Sequence, residues 1–207
     1  MIMVLLHSAY GNFEAAKTHA NEFPWRADMT IHEMWAYIAH FEKDFQNENV
    51  HYQNDFMYHF EAMLDDLMSI AVSYHYLGEY QNTEYTFLRM LDIINIIFKE
   101  EEIMPRVHCR ERGDIYFLLA VLYLEQNREE DAMRMIEKMA EYDTEVLPRF
   151  VSGKRPNTPL LCNSERNFYW TAGEWKDKLL IKLNNPAFNG LKENEKFCSI
   201  LDKVTAM

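Results

Sequence analysis

The sequence predicts an all-α protein, and three observations carry that prediction: apolar residues recur at spacings of three and four, turn-forming residues are scarce, and two predicted helix pairs share one register. The chain has 207 residues, 48% of them hydrophobic, which is enough to bury a core, yet only six Gly and six Pro punctuate it. A fold of strands and tight turns needs such residues more often, and no segment alternates apolar and polar positions strongly enough to compete.

The elements follow in chain order. Helices are expected near 13–22 and 29–46. Phe56, Phe60, Met63, Leu64, Leu67, Ile70, Ala71, Tyr74 and Leu77 then share one face of an amphipathic helix that Gly78 stops. The next helix starts at about Tyr80, places Tyr85, Leu88, Leu91, Ile94, Ile97 and Phe98 at the same period, and ends by the acidic run Glu100-Glu101-Glu102 and Pro105. Ile115, Leu118, Leu119, Leu122 and Tyr123 define another helix, Gln126-Asn127-Arg128 a turn, and Ala132, Met135, Ile136, Met139 and Ala140 its partner, closed by Pro148. Residues 149–173 contain Ser152-Gly153-Lys154, Pro156 and Pro159 and little period, but Leu160, Leu161, Phe168, Tyr169 and Trp170 offer too much apolar surface for a free linker. Helices near 174–183 and 190–204 complete the plan of helical repeats over 1–148, an ordered connector over 149–173 and a C-terminal helical cap over 174–207.

Leu67, Ile70, Ala71, Tyr74, Gly78, Tyr80, Thr83, Phe87 and Met90 align one for one with Tyr116, Leu119, Ala120, Tyr123, Asn127, Glu129, Ala132, Ile136 and Met139. Gly11, Asn12, Phe13, Ala16, Ala20 and Phe23, ending at Pro24, read as the turn and second helix of a third copy. This order of large, small and aromatic positions resembles the tetratricopeptide repeat, although Thr83, Asn127 and Glu129 stand where that repeat usually has Ala, Gly and an aromatic residue. The resemblance implies a right-handed superhelix of antiparallel helix pairs with a hollow face. By resemblance that face is lined by Asp65, Met68, Val72, His75 and Tyr76, then by Asp114, Phe117, Val121, Leu124 and Glu125. Carboxylates there would hold cationic groups while Met and aromatic side chains adapt to apolar ones, and ordinary packing competes as the reading of each single residue. The third copy lacks the start of its first helix, so either upstream sequence or a covering protein is expected at that end.

Asn157-Thr158-Pro159-Leu160-Leu161, together with Leu179, Leu180, Leu183, Pro186, Phe188 and Phe197, resembles the C-terminal region of XRE-type helix-turn-helix regulators of Firmicutes. That resemblance implies a cytoplasmic bacterial sensor or dimerisation region, a homodimer that reaches DNA only through an N-terminal domain absent from this chain. A peptide, small ligand or protein in the groove would then shift protomers between two arrangements. A freestanding protein-binding scaffold and an enzyme of phosphatase-like activity are the alternatives.

Charge and motifs bound the rest. Residues 1–104 carry 17 of the 33 acids but 5 of the 21 bases, and residues 105–207 carry 16 of each, so the net charge of -12 resides in the first half. Phosphate backbones need clustered Lys and Arg, so basic peptides suit this chain better than nucleic acid. Cys109, Cys162 and Cys198 form no CxxC pair, and the opening Met-Ile-Met-Val-Leu-Leu-His is too short and lacks the basic flank for a signal or a membrane span. His32-Glu33-Met34-Trp35-Ala36 begins like a zinc-protease helix but has Ala where the second ligand belongs, and His40 lies two turns from His32, so no metal and no cofactor are expected. There is no GxSxG, GxGxxG or phosphate-binding loop, adjacent Asp65-Asp66 diverge on a helix, and no catalytic residue is assigned. Tyr74, Tyr76 and Tyr80, and Phe168, Tyr169, Trp170 and Trp175, read first as core filling. Arg106, His108, Arg110 and Arg112 read as a solvated loop, with an acidic partner the sharper alternative.

Overall fold

In the computed structural model the described residues are 2–22, 30–98, 112–146 and 174–206, and every regular element among them is helical. The α-helices are α1 (Ile2–Ala9), α2 (Phe13–Asn21), α3 (Ile31–Glu42), α4 (Phe45–Tyr76), α5 (Tyr80–Ile97), α6 (Arg112–Glu125), α7 (Glu129–Glu141), α8 (Glu174–Leu183) and α9 (Glu195–Ala206). A π-helical turn, Tyr142–Val146, continues α7, and a 3₁₀ segment, Pro186–Leu191, joins α8 to α9. The connector expected over 149–173, with its aromatic cluster, Cys109 and Cys162, and Arg106, His108 and Arg110, lies outside the described residues. The described residues form two compact units that divide within α4, between Ala62 and Met63.

In the first unit, Val4, Ala16, Ala20, Met34 and Ile38 form a buried cluster, with Phe13 and Trp35 packed against it. Alanines at 16 and 20 put no side chain beyond Cβ between α2 and its neighbours, so α1, α2 and α3 pack on one another. The hydroxyl of Thr30 caps α3 by accepting from the Glu33 N–H at 3.0 Å, and it donates to Asp55 on α4. One helix over 29–46 was the expectation; instead α3 ends at Glu42 because Lys43 turns left-handed (φ 61°). Asp44 then accepts from the Asn47 N–H at 3.2 Å and starts α4. That cap places the start of α4 well before Phe56, in a stretch of Gln and Asn with no apolar period. Buried Gln53 and Asn54 belong to it, Gln53 donating to Asn49 Oδ1 at 2.8 Å.

The second unit buries the shared register more faithfully than the simple apolar period. Tyr116, Leu119, Ala120 and Tyr123 of α6 and Ala132, Ile136 and Met139 of α7 are all buried. Fully burying side chains such as Leu119 or Ile136 contributes about 1.5–3 kcal/mol each. On α5 the aligned Thr83, Phe87 and Met90 are buried, with Leu91, Ile94 and Phe98, whereas Tyr85 and Leu88, expected on the packed face, are exposed. Thr83 and Thr86 are admissible there because each hydroxyl donates to a carbonyl one turn back, Glu79 at 3.2 Å and Asn82 at 2.8 Å. The aligned positions of α4 are less covered: Ala71 is buried, Leu67 and Tyr74 are half-buried, and Ile70 is 45% exposed. Leu179, Leu183, Phe188, Leu191, Phe197 and Val204 form the core of the C-terminal elements. The single helix expected over 190–204 is in fact 3₁₀ turn, Asn194 and α9, since Asn194 Oδ1 accepts from the Lys196 N–H at 3.0 Å and starts a new helix.

One turn recurs. In the α4–α5 link the Gly78 N–H donates to the His75 carbonyl and the Glu79 N–H to Tyr74, both at 2.9 Å; in the α6–α7 link Asn127 donates to Leu124 at 2.9 Å and Arg128 to Tyr123 at 2.8 Å. The α1–α2 link repeats the pattern with Gly11 to Ser8 at 3.0 Å and Asn12 to His7 at 2.8 Å. Gly11, Gly78 and Asn127 have φ of 74°, 74° and 58°, and the residues that follow them share φ near -90° and ψ of 66°, 62° and 66°. Each turn satisfies two carbonyls that a helix end leaves open, at a position where only Gly or a short polar residue is comfortable. No described helix is long and apolar enough to cross a membrane.

Candidate functional site

The ten expected lining positions divide into a closed end and an open one. On α4, Met68 is buried and Asp65 half-buried, while Val72 and Tyr76 are exposed, Tyr76 by 85%. On α6, Val121 and Leu124 are half-buried and Glu125 is exposed. His75 Nε2 lies 3.5 Å from Glu125 Oε2, which brings together one lining residue from each helix. The His75 ring also meets Tyr76 and Tyr80, at centroid distances of 6.1 and 5.7 Å.

At the closed end Asp114 and Phe117 both meet the C-terminal elements. Asp114 is buried, with Oδ2 2.9 Å from Lys178 Nζ and Oδ1 3.0 Å from Lys182 Nζ. Lys182 Nζ is also 3.0 Å from Asp143 Oδ2, in the π-helical turn. Burial alone would raise the pKa of Asp114, but the two ammonium groups outweigh it and hold the carboxyl below its ordinary value. Burial raises Asp143, opposed by Lys182, and its Oδ1 is buried with no hydrogen-bond partner among the described residues. Burial opposes the charge of Lys182 as well, and Asp143 and Asp114 together overcome it and raise its pKa. Phe117 meets the ring of Phe188 edge-on at 5.7 Å, and Phe188 in turn meets Phe197 at 6.0 Å.

Two further networks were invisible to sequence reasoning because their members lie far apart in the chain. Glu84 Oε1 accepts from the Tyr123 hydroxyl at 2.9 Å, and Arg128 Nη1 donates to Glu84 Oε2 at 2.6 Å. Arg128 also donates from Nε to Asp131 at 2.7 Å and stands 4.2 Å over the Tyr123 ring. The Arg128 hydrogen bonds lower the pKa of Glu84, while burial and then the bond to Glu84 push Tyr123 up to about 12. Arg112, expected in a solvated loop, is instead a fully buried first residue of α6. It donates from Nε to Asn95 at 2.9 Å and from Nη2 to the Phe98 carbonyl at 2.7 Å, closing the end of α5. No signal in the sequence distinguishes it from its neighbouring arginines.

Among the described residues no group of three His, Cys, Asp or Glu is placed to hold a metal ion. His40 faces Glu48 at 3.2 Å, and the ring of His32 lies 5.9 Å from that of His51. An open cavity of about 600 Å³ lies between α7 and the start of α9, lined by Glu129, Glu130, Asp131, Met133, Arg134, Glu137, Asn194 and Lys196. Its charges are partly spent within the protein, Asp131 on Arg134 and Arg128, and Glu129 on Asn194 at 3.1 Å. The chain matches no family model, no curated protein and no solved structure.

Proposed function

We propose that this chain is a tetratricopeptide-like sensor or interaction region of a bacterial transcriptional regulator, which takes a peptide, small ligand or protein against a hollow face lined by α4 and α6. The observation that carries the reading is the meeting of His75 with Glu125 beside exposed Val72 and Tyr76. These residues were expected on one lining from the repeat register alone, and they come from the first helices of successive copies. The recurring turn supports the same reading, because a constant link is what stacking of successive helix pairs in one register requires. Signalling then proceeds by population shift: a ligand with higher affinity for one arrangement of protomers favours it by that difference in binding free energy.

Native mass spectrometry of the purified protein, followed by hydrogen exchange with and without the copurified molecule, tests the binding half. Protection should concentrate in α4 and α6. A footprint confined to α9 or to the α7 cavity would remove the groove. Chromatin immunoprecipitation of the endogenous protein tests the regulatory half, and failure to recover any DNA region above background would refute it.

A further inference from the structure

We infer that the joined C-terminal ends of α4 and α6 form a subsite for one cationic side chain of a peptide, a guanidinium or an ammonium group, which takes the Glu125 carboxylate from His75. This rests on the groove reading above and narrows it to a ligand class. At the closed end Asp114 is already held by two lysines, and Asp65 is half-buried. Recognition by charge therefore falls to the open end.

Three features there favour a cation. His75 in the last turn of α4 and Glu125 at the end of α6 lie 3.5 Å apart, and each helix end carries partial negative charge. The last turn of α4 has His75 as its basic residue and that of α6 has none, so no Lys or Arg of either turn offsets that charge. Glu125 adds a full negative charge whose contact with His75 is long, at 3.5 Å, with both side chains more than a third exposed. Such a contact is weakly held in water, and a guanidinium, which presents parallel donors in one plane, is the better partner for a carboxylate. Around the imidazole stand Tyr76 of α4, Tyr80 of α5 and Glu125 of α6. Both phenol rings meet the imidazole that a cation would displace, and aromatic faces attract cations. Within the same unit, residues 63–98 carry Asp65, Asp66, Glu79, Glu84 and Asp92 against Arg89, an acidic balance that favours a cation.

The test uses the full chain and two acetylated, amidated pentapeptides, Leu-Leu-Arg-Leu-Leu and the same peptide with citrulline, which keeps the shape of arginine without its charge. Calorimetry reads affinity and NMR follows the His75 imidazole and the methyls of Val72 and Val121. The arginine peptide should bind about tenfold tighter than the citrulline peptide, the order expected for a charge-assisted contact. Binding should shift the His75 resonance, and Glu125→Gln should abolish the preference while Glu137→Gln, on the exposed side of α7, leaves it intact. Equal binding of both peptides with Val72 and Val121 shifted would overturn the cationic subsite and keep the groove. An arginine preference that survives Glu125→Gln would overturn it as well, by assigning the preference to general acidity. Binding of neither peptide, or no response at Val72 and Val121, would overturn the subsite and the groove together.

Discussion

The carboxylate of Asp143 occupies the space that a side chain at Gly113 would need: a Cβ there would fall inside the contact distance of Asp143 Oδ1. Asp143 is fixed by Lys182 on its other oxygen and has little room to retreat. Gly113→Ala should therefore cost about 1–3 kcal/mol in urea denaturation, the usual range for overpacking. In an Asp143→Ala background that cost should disappear, and its persistence would locate the collision elsewhere.

Lys182 neutralises two buried carboxylates, so Lys182→Met, which keeps the stem and removes the ammonium, leaves Asp114 and Asp143 short of a partner. A loss of about 3–5 kcal/mol is expected, as for breaking other buried pairs from one side. Lys178→Met should cost clearly less, because Lys178 is more exposed and Asp114 retains Lys182. Equal shifts in the urea midpoints of the two variants would contradict this ranking.

Asp114 and Asp143 should shape the pH dependence of stability with opposite signs. The depressed pKa of Asp114 means that its contribution is present above the ordinary Asp value and is lost as pH falls through the folded one. The raised pKa of Asp143 means that its contribution is present below that ordinary value and is lost as pH rises through the folded one. Urea titrations on both sides of about pH 4, the ordinary Asp range, separate them. Asp114→Asn should flatten the acid limb. Asp143→Asn should flatten the decline above it and raise stability at neutral pH, and a fall at neutral pH would overturn the sign assigned to Asp143.

The Tyr123 hydroxyl should ionise late, with phenolate absorbance appearing near pH 12 and absent in Tyr123→Phe. Its raised pKa makes the hydroxyl's contribution complete below about 10, the ordinary tyrosine value, and lost as pH rises through about 12. Glu84→Gln should move the absorbance change to lower pH, since the carboxylate that holds the proton is gone.

The recurring turn predicts a pair of opposite substitutions. Gly78→Ala puts a Cβ on a left-handed residue and should cost about 1–2 kcal/mol by thermal denaturation. Asn127→Gly relieves the same conformation at φ 58° and should be neutral or stabilising. A large loss on Asn127→Gly would mean that the Asn side chain, and not the backbone, holds that link.

The helical class and the two aligned hairpins were legible because four aligned positions carry residues of similar size in both copies: Ala71 with Ala120, Thr83 with Ala132, Phe87 with Ile136 and Met90 with Met139 are all buried pairs of equivalents. The plain apolar period misled at Tyr85, Leu88 and Ile70, since a residue can lie on the packed stripe of its own helix and still meet no neighbour. The split at Lys43 was hidden because a left-handed residue of that type has no sequence signal. Of the residues expected on the lining, His75 and Glu125 lie 3.5 Å apart. The burial of Asp114 was not legible, because its lysine partners lie more than sixty residues further along, and nothing local marks a carboxylate as spoken for.

Because the three equivalent links close through main-chain groups, the identity of their side chains is nearly free once the left-handed residue is in place. Surface chemistry can therefore differ from link to link without disturbing these turns. The three links already show this latitude, since Gly11 and Gly78 hold the left-handed position in two of them and Asn127 in the third.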